Sequence, residues 1–237
     1  MPLLAVAMDQ PLFWAVVIGW VLSVTLHEFA HGLVGHLGGD YTIKERGGLT
    51  LNPLQYIDPV FSIVVPTILL LLGGIPLPGG VTYIRNDLLR SRAWETAVSL
   101  AGPAMNFLIF LALALPLHPS AGWVDPRAIV PQWTTAQIFC AALAFLQLFS
   151  VILNLIPIPP LDGFQAIAPY LNPETRQKLT TPPTSTFLFI GFFVLLFTVP
   201  RITTVIVWKI MDPIISAIGV DTNALINAYN VALRGSM

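Results

Sequence analysis

The chain has 237 residues, of which 55% are hydrophobic and 10% charged, and its formal net charge is −1. A soluble domain carries about 25% charged residues, so this composition excludes an ordinary soluble globule, and the near-neutral charge argues against a nucleic-acid partner. The one cysteine, Cys140, excludes an intrachain disulfide framework and reads as a small core hydrophobe inside an apolar run.

The expected class is therefore an all-α polytopic membrane protein, one domain over residues 1–237, built as a bundle of about five or six spans. Apolar runs fall at roughly 11–36, 58–77, 95–117, 134–156, 184–200 and 202–218. No cleavable leader is expected, because the residues before the first run contain no Lys or Arg and the run leads straight into a polar motif.

That motif is Leu26-His27-Glu28-Phe29-Ala30-His31-Gly32. On a helix, His27 and His31 lie one turn apart and present two imidazoles to one metal, and Glu28 can take a proton from water activated there. Three ionisable side chains in a segment long enough to cross a bilayer are costly, and a function is their default explanation.

The second run differs from its neighbours. Asp58-Pro59 opens it, Pro66 interrupts it and Gly73-Gly74-Ile75-Pro76 closes it, a pattern suited to a re-entrant segment near 58–77. Two constraints favour that reading. If Asp162 joins the histidines, the first and fourth runs must cross in the same direction, which allows an odd number of crossings between them. Run 95–117 supplies one. The other constraint is charge. With 58–77 re-entrant, Lys44, Arg46, Arg85, Arg90, Arg92, Arg176 and Lys178 share one face and only Arg127 lies on the other. The positive-inside bias makes the charged face cytoplasmic and places the metal nearer to it.

A catalytic zinc needs a third protein ligand and an open position. His36 and Asp40 follow the first helix too closely to fold back and are expected to mark its watery end. His118 and Asp125 fall on the opposite face and are expected in loops; Asp58 stays open as a candidate. Asp162 has the best setting, because Asn154-Leu155-Ile156-Pro157-Ile158-Pro159-Pro160-Leu161-Asp162-Gly163 ends a spanning helix abruptly. Its prolines unwind the backbone so that a side chain can turn back into the bundle.

Residues 27–31, Gly102-Pro103-Ala104-Met105-Asn106 and Asn154 to Gly163 occur in this order and resemble three sequence blocks of the site-2 protease family, the intramembrane zinc metalloproteases. The resemblance covers about residues 15–170, with Pro160 as an extra proline, and shows no PDZ-like or nucleotide-sensing insertion. It implies a three-helix catalytic core over about 11–170, one Zn2+ held by His27, His31 and Asp162, and Glu28 as the general base. It implies that Asn154 helps to hold the substrate strand, and that residues 40–52 fall where the family often has a short β-hairpin. The implied partner is a membrane-embedded protein substrate with a helical span, in the inner membrane of a prokaryote. Gly102, Pro103, Asn106, Pro157, Pro159 and Gly163 are structural parts of the motifs.

Duller readings stand beside these. Gly102-Pro103 serves equally as a packing and kink element, and Asn106 and Asn154 as interhelical hydrogen-bond partners. Trp14, Trp20, Trp94, Trp123, Trp133 and Trp208 mostly fit interfacial anchors. The alternative function is a non-catalytic zinc-binding scaffold, against which an intact Glu28 argues. Four histidines are too few for a histidine-box di-iron enzyme.

Overall fold

The computed structural model describes residues 11–57, 80–125 and 127–234. The segment 58–77 and Asp58 fall outside the described residues. What is described is helical, without strands, and three helices are each long and apolar enough to cross a membrane: Pro11–Gly38, Arg92–Leu117 and Thr135–Asn154. The pairs Pro173–Thr180 with Thr184–Thr198 and Pro200–Ala217 with Thr222–Leu233 are bent by 61° and 111°. Counting each pair as one span gives up to five.

We call Pro11–Gly38 α1, the single turn Thr42–Glu45 α2, Arg92–Ala114 α3, Thr135–Asn154 α4, Asp162–Ile167 α5, Pro173–Thr180 α6 and Thr184–Thr198 α7. The apolar window of α4 is 78% buried, against 44% for α1 and 33% for α3, so α4 is the most enclosed of the long helices. Its composition allows this, since Ala141, Ala142 and Ala144 have no exposed surface and let neighbouring backbones approach.

The chain forms two compact units. The first comprises residues 1–23, 106–150 and 204–237. Its core is apolar: Val16 and Trp20 of α1, Phe110 of α3 and Leu148 and Phe149 of α4, with Met211, Ile215 and Leu225 from the C-terminal helices. Asn106 donates to Ser150 Oγ at 3.1 Å, which fits the interhelical role that the sequence left open for it. Trp20 is buried in this core and is not an interfacial anchor, whereas Trp14, Trp123 and Trp208 are well exposed.

The second unit comprises residues 24–105 and 151–203 and contains every group of the site. α1 and α4 pass from the first unit into the second, and α3 passes the other way. In this unit Asn172 caps α6 by accepting from Thr175 N at 2.7 Å, with Pro173 in the first turn, a local arrangement legible from Asn-Pro-Glu. α7 turns Phe187, Ile190, Val194 and Leu195 outward and buries only Leu196, the surface expected of a helix facing lipid.

Residues 40–52 correct two expectations. The β-hairpin is not formed. Asp40 accepts from Thr42 N at 3.1 Å and from Thr42 Oγ1, and so starts the helical turn α2. Gly47, at φ +78°, and Gly48, whose N–H donates to Ile43 O at 2.9 Å, end that turn as a helix C-terminus. A glycine pair serves a helix end as well as a hairpin, and the buried carboxylate decides between them. Nor is Asp40 at a watery helix end, because it has no exposed surface. Its Oδ2 accepts from Arg85 N at 2.8 Å and lies 3.4 Å from Arg46 Nη2, so it clasps residue 85 to the end of α1.

Candidate metal centre

Helical periodicity places His27 and His31 on one face of α1 with their Nε2 atoms 3.0 Å apart. The backbone after α4 breaks where the prolines remove donors: Ile158 N donates to Ile156 O and Leu161 N to Ile158 O, both at 2.8 Å, in tight turns rather than a helix. Gly163 permits the return, because a Cβ there would overlap the Leu155 carbonyl. Asp162 then opens α5 with Oδ2 at 3.3 Å from His27 Nε2 and Oδ1 at 3.4 Å from His31 Nε2.

These three donors lie within 4.8 Å of one another, the one such group among the described residues. Donors at about 2.0–2.1 Å from a tetrahedral zinc are spaced roughly 3.3–3.4 Å apart, which matches the carboxylate–imidazole separations. The donor chemistry also fits, since two imidazoles and one carboxylate form a three-ligand set of the kind that leaves a fourth position open. Asp162 Oδ2 is buried without a hydrogen-bond partner, as expected of an atom shaped to meet an ion. His31 Nδ1 lies 2.6 Å from the Val98 carbonyl, which can only accept. The proton is therefore on Nδ1, and Nε2 keeps its lone pair for a metal.

The Gly102-Pro103 motif has a spatial meaning here. A Cβ on Gly102 would overlap His31 Nε2 and come within 2.5 Å of His27 Cε1 and Nε2. Only glycine lets α3 lie against both imidazoles and still leave the space an ion needs. Pro103 is accommodated inside α3. Two contacts tie the Asp162 connection to the start of α3: Thr96 Oγ1 donates to Ala166 O at 2.8 Å, and Arg176 meets Glu95 at 3.4 Å.

Glu28 is buried at 5% exposure and lies within electrostatic reach of His31. Its Oε2 accepts from Thr82 Oγ1 at 2.8 Å. Thr82 belongs to an irregular stretch, Gly80 to Arg85, for which the sequence offered no motif. Nearby, burial pushes the Tyr56 phenol above its ordinary pKa and the Glu28 carboxylate adds to the rise; the phenol donates to Thr50 O at 2.7 Å.

Of the other His and Asp candidates among the described residues, none joins this group. Asn154 ends α4 and is half-buried. His36 packs edge-on against Tyr41. His118 and Asp125 sit in connections of the first unit, where His118 Nδ1 accepts from Ser120 N at 3.0 Å and Asp125 accepts from Arg127 N at 2.9 Å. Pro159 and Gly163 are buried, and Pro157 is exposed.

No protein-family model matches the chain, and no solved structure matches it. Curated relatives do. A protein of Mycolicibacterium smegmatis named "Putative zinc metalloprotease Rip2" is 41% identical over 186 residues, which are 78% of this chain and 68% of the relative. Its namesake in Mycobacterium tuberculosis is 39% identical over 198 residues, 81% of this chain and 72% of the relative. "Putative zinc metalloprotease YwhC" of Bacillus subtilis is 31% identical over 197 residues, covering 83% and 85% of the two chains.

Proposed function

Because the chain belongs to the site-2 protease family of zinc metalloproteases, we propose that it hydrolyses a peptide bond in or near the transmembrane segment of a membrane-embedded protein. The supporting observation is the convergence of His27 and His31, on a helix apolar enough to cross a bilayer, with Asp162 of the short α5, beside a buried carboxylate. His27 and His31 from α1 and Asp162 from α5 would hold the zinc. When bound, zinc acts as a Lewis acid on the scissile carbonyl and activates water for attack near neutral pH.

The protein's own groups do the rest. Glu28 accepts the proton of the attacking water and delivers it to the leaving amide nitrogen. The Val98 carbonyl fixes the His31 tautomer, and Gly102 keeps the ion's space open. A helical substrate has its carbonyls tied in intrahelical bonds, so it must unwind locally before attack, and Asn154 at the end of α4 helps to hold the unwound strand. A Gly-Pro pair placed near the cut should therefore speed cleavage of a reporter helix; equal rates with and without it would remove unwinding as the gate.

The bacterial relatives support the inner membrane of a prokaryote, and the Lys and Arg asymmetry, with 58–77 taken as re-entrant, supports a site toward the cytoplasm. The zinc-scaffold reading is disfavoured by Glu28, since a structural ion needs no base. The deciding experiment compares membrane proteomes from cells carrying the wild type or Glu28→Gln. A single-span protein that accumulates uncut only with the variant supports proteolysis. Identical proteomes would leave the scaffold.

A further inference from the structure

We propose that Thr82 is a positioning residue for Glu28, holding one carboxylate oxygen so that the other faces the reacting atoms; this rests on the protease reading given above. The Thr82 hydroxyl lies 2.8 Å from Glu28 Oε2 and 3.1 Å from the Glu28 backbone carbonyl. It has one proton to donate, and an ionised oxygen at the shorter distance is the stronger acceptor. That leaves Glu28 Oε1 as the oxygen available for proton transfer.

The stretch carrying Thr82 is built to stay where it is. A Cβ on Gly80 would come within 2.6 Å of Glu28 Cγ and 3.1 Å of Oε1, so the backbone at residue 80 forms a wall against the carboxylate. On one side of Thr82, Val81 N donates to Tyr56 O at 3.0 Å. On the other, Arg85 N donates to the fully buried Asp40 at 2.8 Å. Both anchors are in the second unit, and Asp40 follows the helix that carries Glu28. The end of α1 thus sets the height at which Thr82 meets Glu28. A glutamate left alone would populate several rotamers, and only some would present an oxygen to the attacking water. Holding it beforehand removes that reorganisation from the reaction.

A packing role needs only the shape of the side chain, which valine keeps, whereas positioning needs the hydroxyl. The test uses the full chain in detergent, zinc-loaded, with a single-span reporter substrate. Thr82→Val should lower kcat by about tenfold or more, the range typical of losing an outer-shell partner. KM and zinc stoichiometry should be unchanged, and Thr82→Ser should stay within about twofold of the wild type. A second measurement does not involve turnover. In metal-free protein labelled with carbon-13 glutamate, Thr82→Val should shift an infrared carboxylate band that is missing from Glu28→Gln, and should shift nothing in the Glu28→Gln background. Unchanged kcat together with an unmoved band would overturn the proposal, and so would equal losses in the Val and Ser variants with reduced zinc. If Glu28→Gln cleaves as well as the wild type, the reading of Glu28 as base fails, and the infrared band still decides whether Thr82 holds the carboxylate.

Discussion

Along residues 11–23, α1 buries Phe13, Val16 and Trp20 and turns Trp14, Ile18 and Leu22 outward; along residues 24–38 it buries Thr25, His27, Glu28 and His31. The helix is continuous, yet its halves belong to different units and are held by different means. The first half packs by shape, with Phe139 and Leu143 against Gly19, and its buried Ser23 donates within the helix to Gly19 O at 2.8 Å. The second carries polar and ionisable groups that are costly within a bilayer, and each has a specific partner: the Val98 carbonyl for His31, the Thr82 hydroxyl for Glu28 and the Asp162 carboxylate for both imidazoles. Neighbouring turns of one helix therefore differ in what they tolerate. Errors in the first half should lower stability, and errors in the second should remove chemistry.

That contrast can be broken by experiment. Glu28→Gln should reduce cleavage of a reporter span by about 10²- to 10⁴-fold, the usual contribution of a general base, with zinc content by elemental analysis unchanged. Asp162→Ala should abolish cleavage and also lose zinc, because it removes one of three donors. If both variants kept zinc and activity, the second half of α1 would be no more specialised than the first.

The next test compares two glycines. Gly102→Ala places a methyl group where the His31 imidazole lies and should weaken zinc affinity by roughly 10- to 100-fold, as misplacing a ligand does. Gly19→Ala meets the flexible end of Leu143 at 2.9 Å and should lower stability by about 1–3 kcal/mol, the range for overpacking, while zinc stays bound. Chelator competition and thermal unfolding separate the two outcomes, and equal zinc loss in both variants would erase the distinction. The smallest effect is expected from Asn106→Ala, which removes the bond to Ser150 Oγ in the first unit. It should cost about 0.6 kcal/mol, typical of a hydrogen bond between membrane helices, without changing zinc occupancy. A large fall in zinc would tie this asparagine to the metal after all.

Much of the site was legible because its determinants are local. The spacing of His27 and His31 follows from 3.6 residues per turn, and the prolines after Asn154 announce a broken backbone that can return Asp162. The span α4 followed from an apolar run of sufficient length, and so did α1 and α3. At residues 40–52 the resemblance implied a hairpin and the chain instead makes a helical turn, set by Asp40, whose carboxylate accepts from Thr42 N locally and from Arg85 N across 45 residues of chain. Thr82 was passed over for a related reason. A lone threonine in an irregular stretch carries no pattern of its own.

From the amino-acid order alone came the membrane class, the paired imidazoles of His27 and His31 on one helix face and the broken backbone that returns Asp162, since periodicity, hydropathy and proline act within a few residues. The full ligand set and the role of Glu28 were implied by the resemblance. The folded chain was needed to bring Asp162 to the imidazoles, to set Gly102 against them, to fix the His31 tautomer through Val98 and to bring Thr82 to Glu28. The last three of those relations join residues 54 to 75 positions apart, and contacts so distant in sequence leave no periodic trace; only the packing of one segment on another creates them.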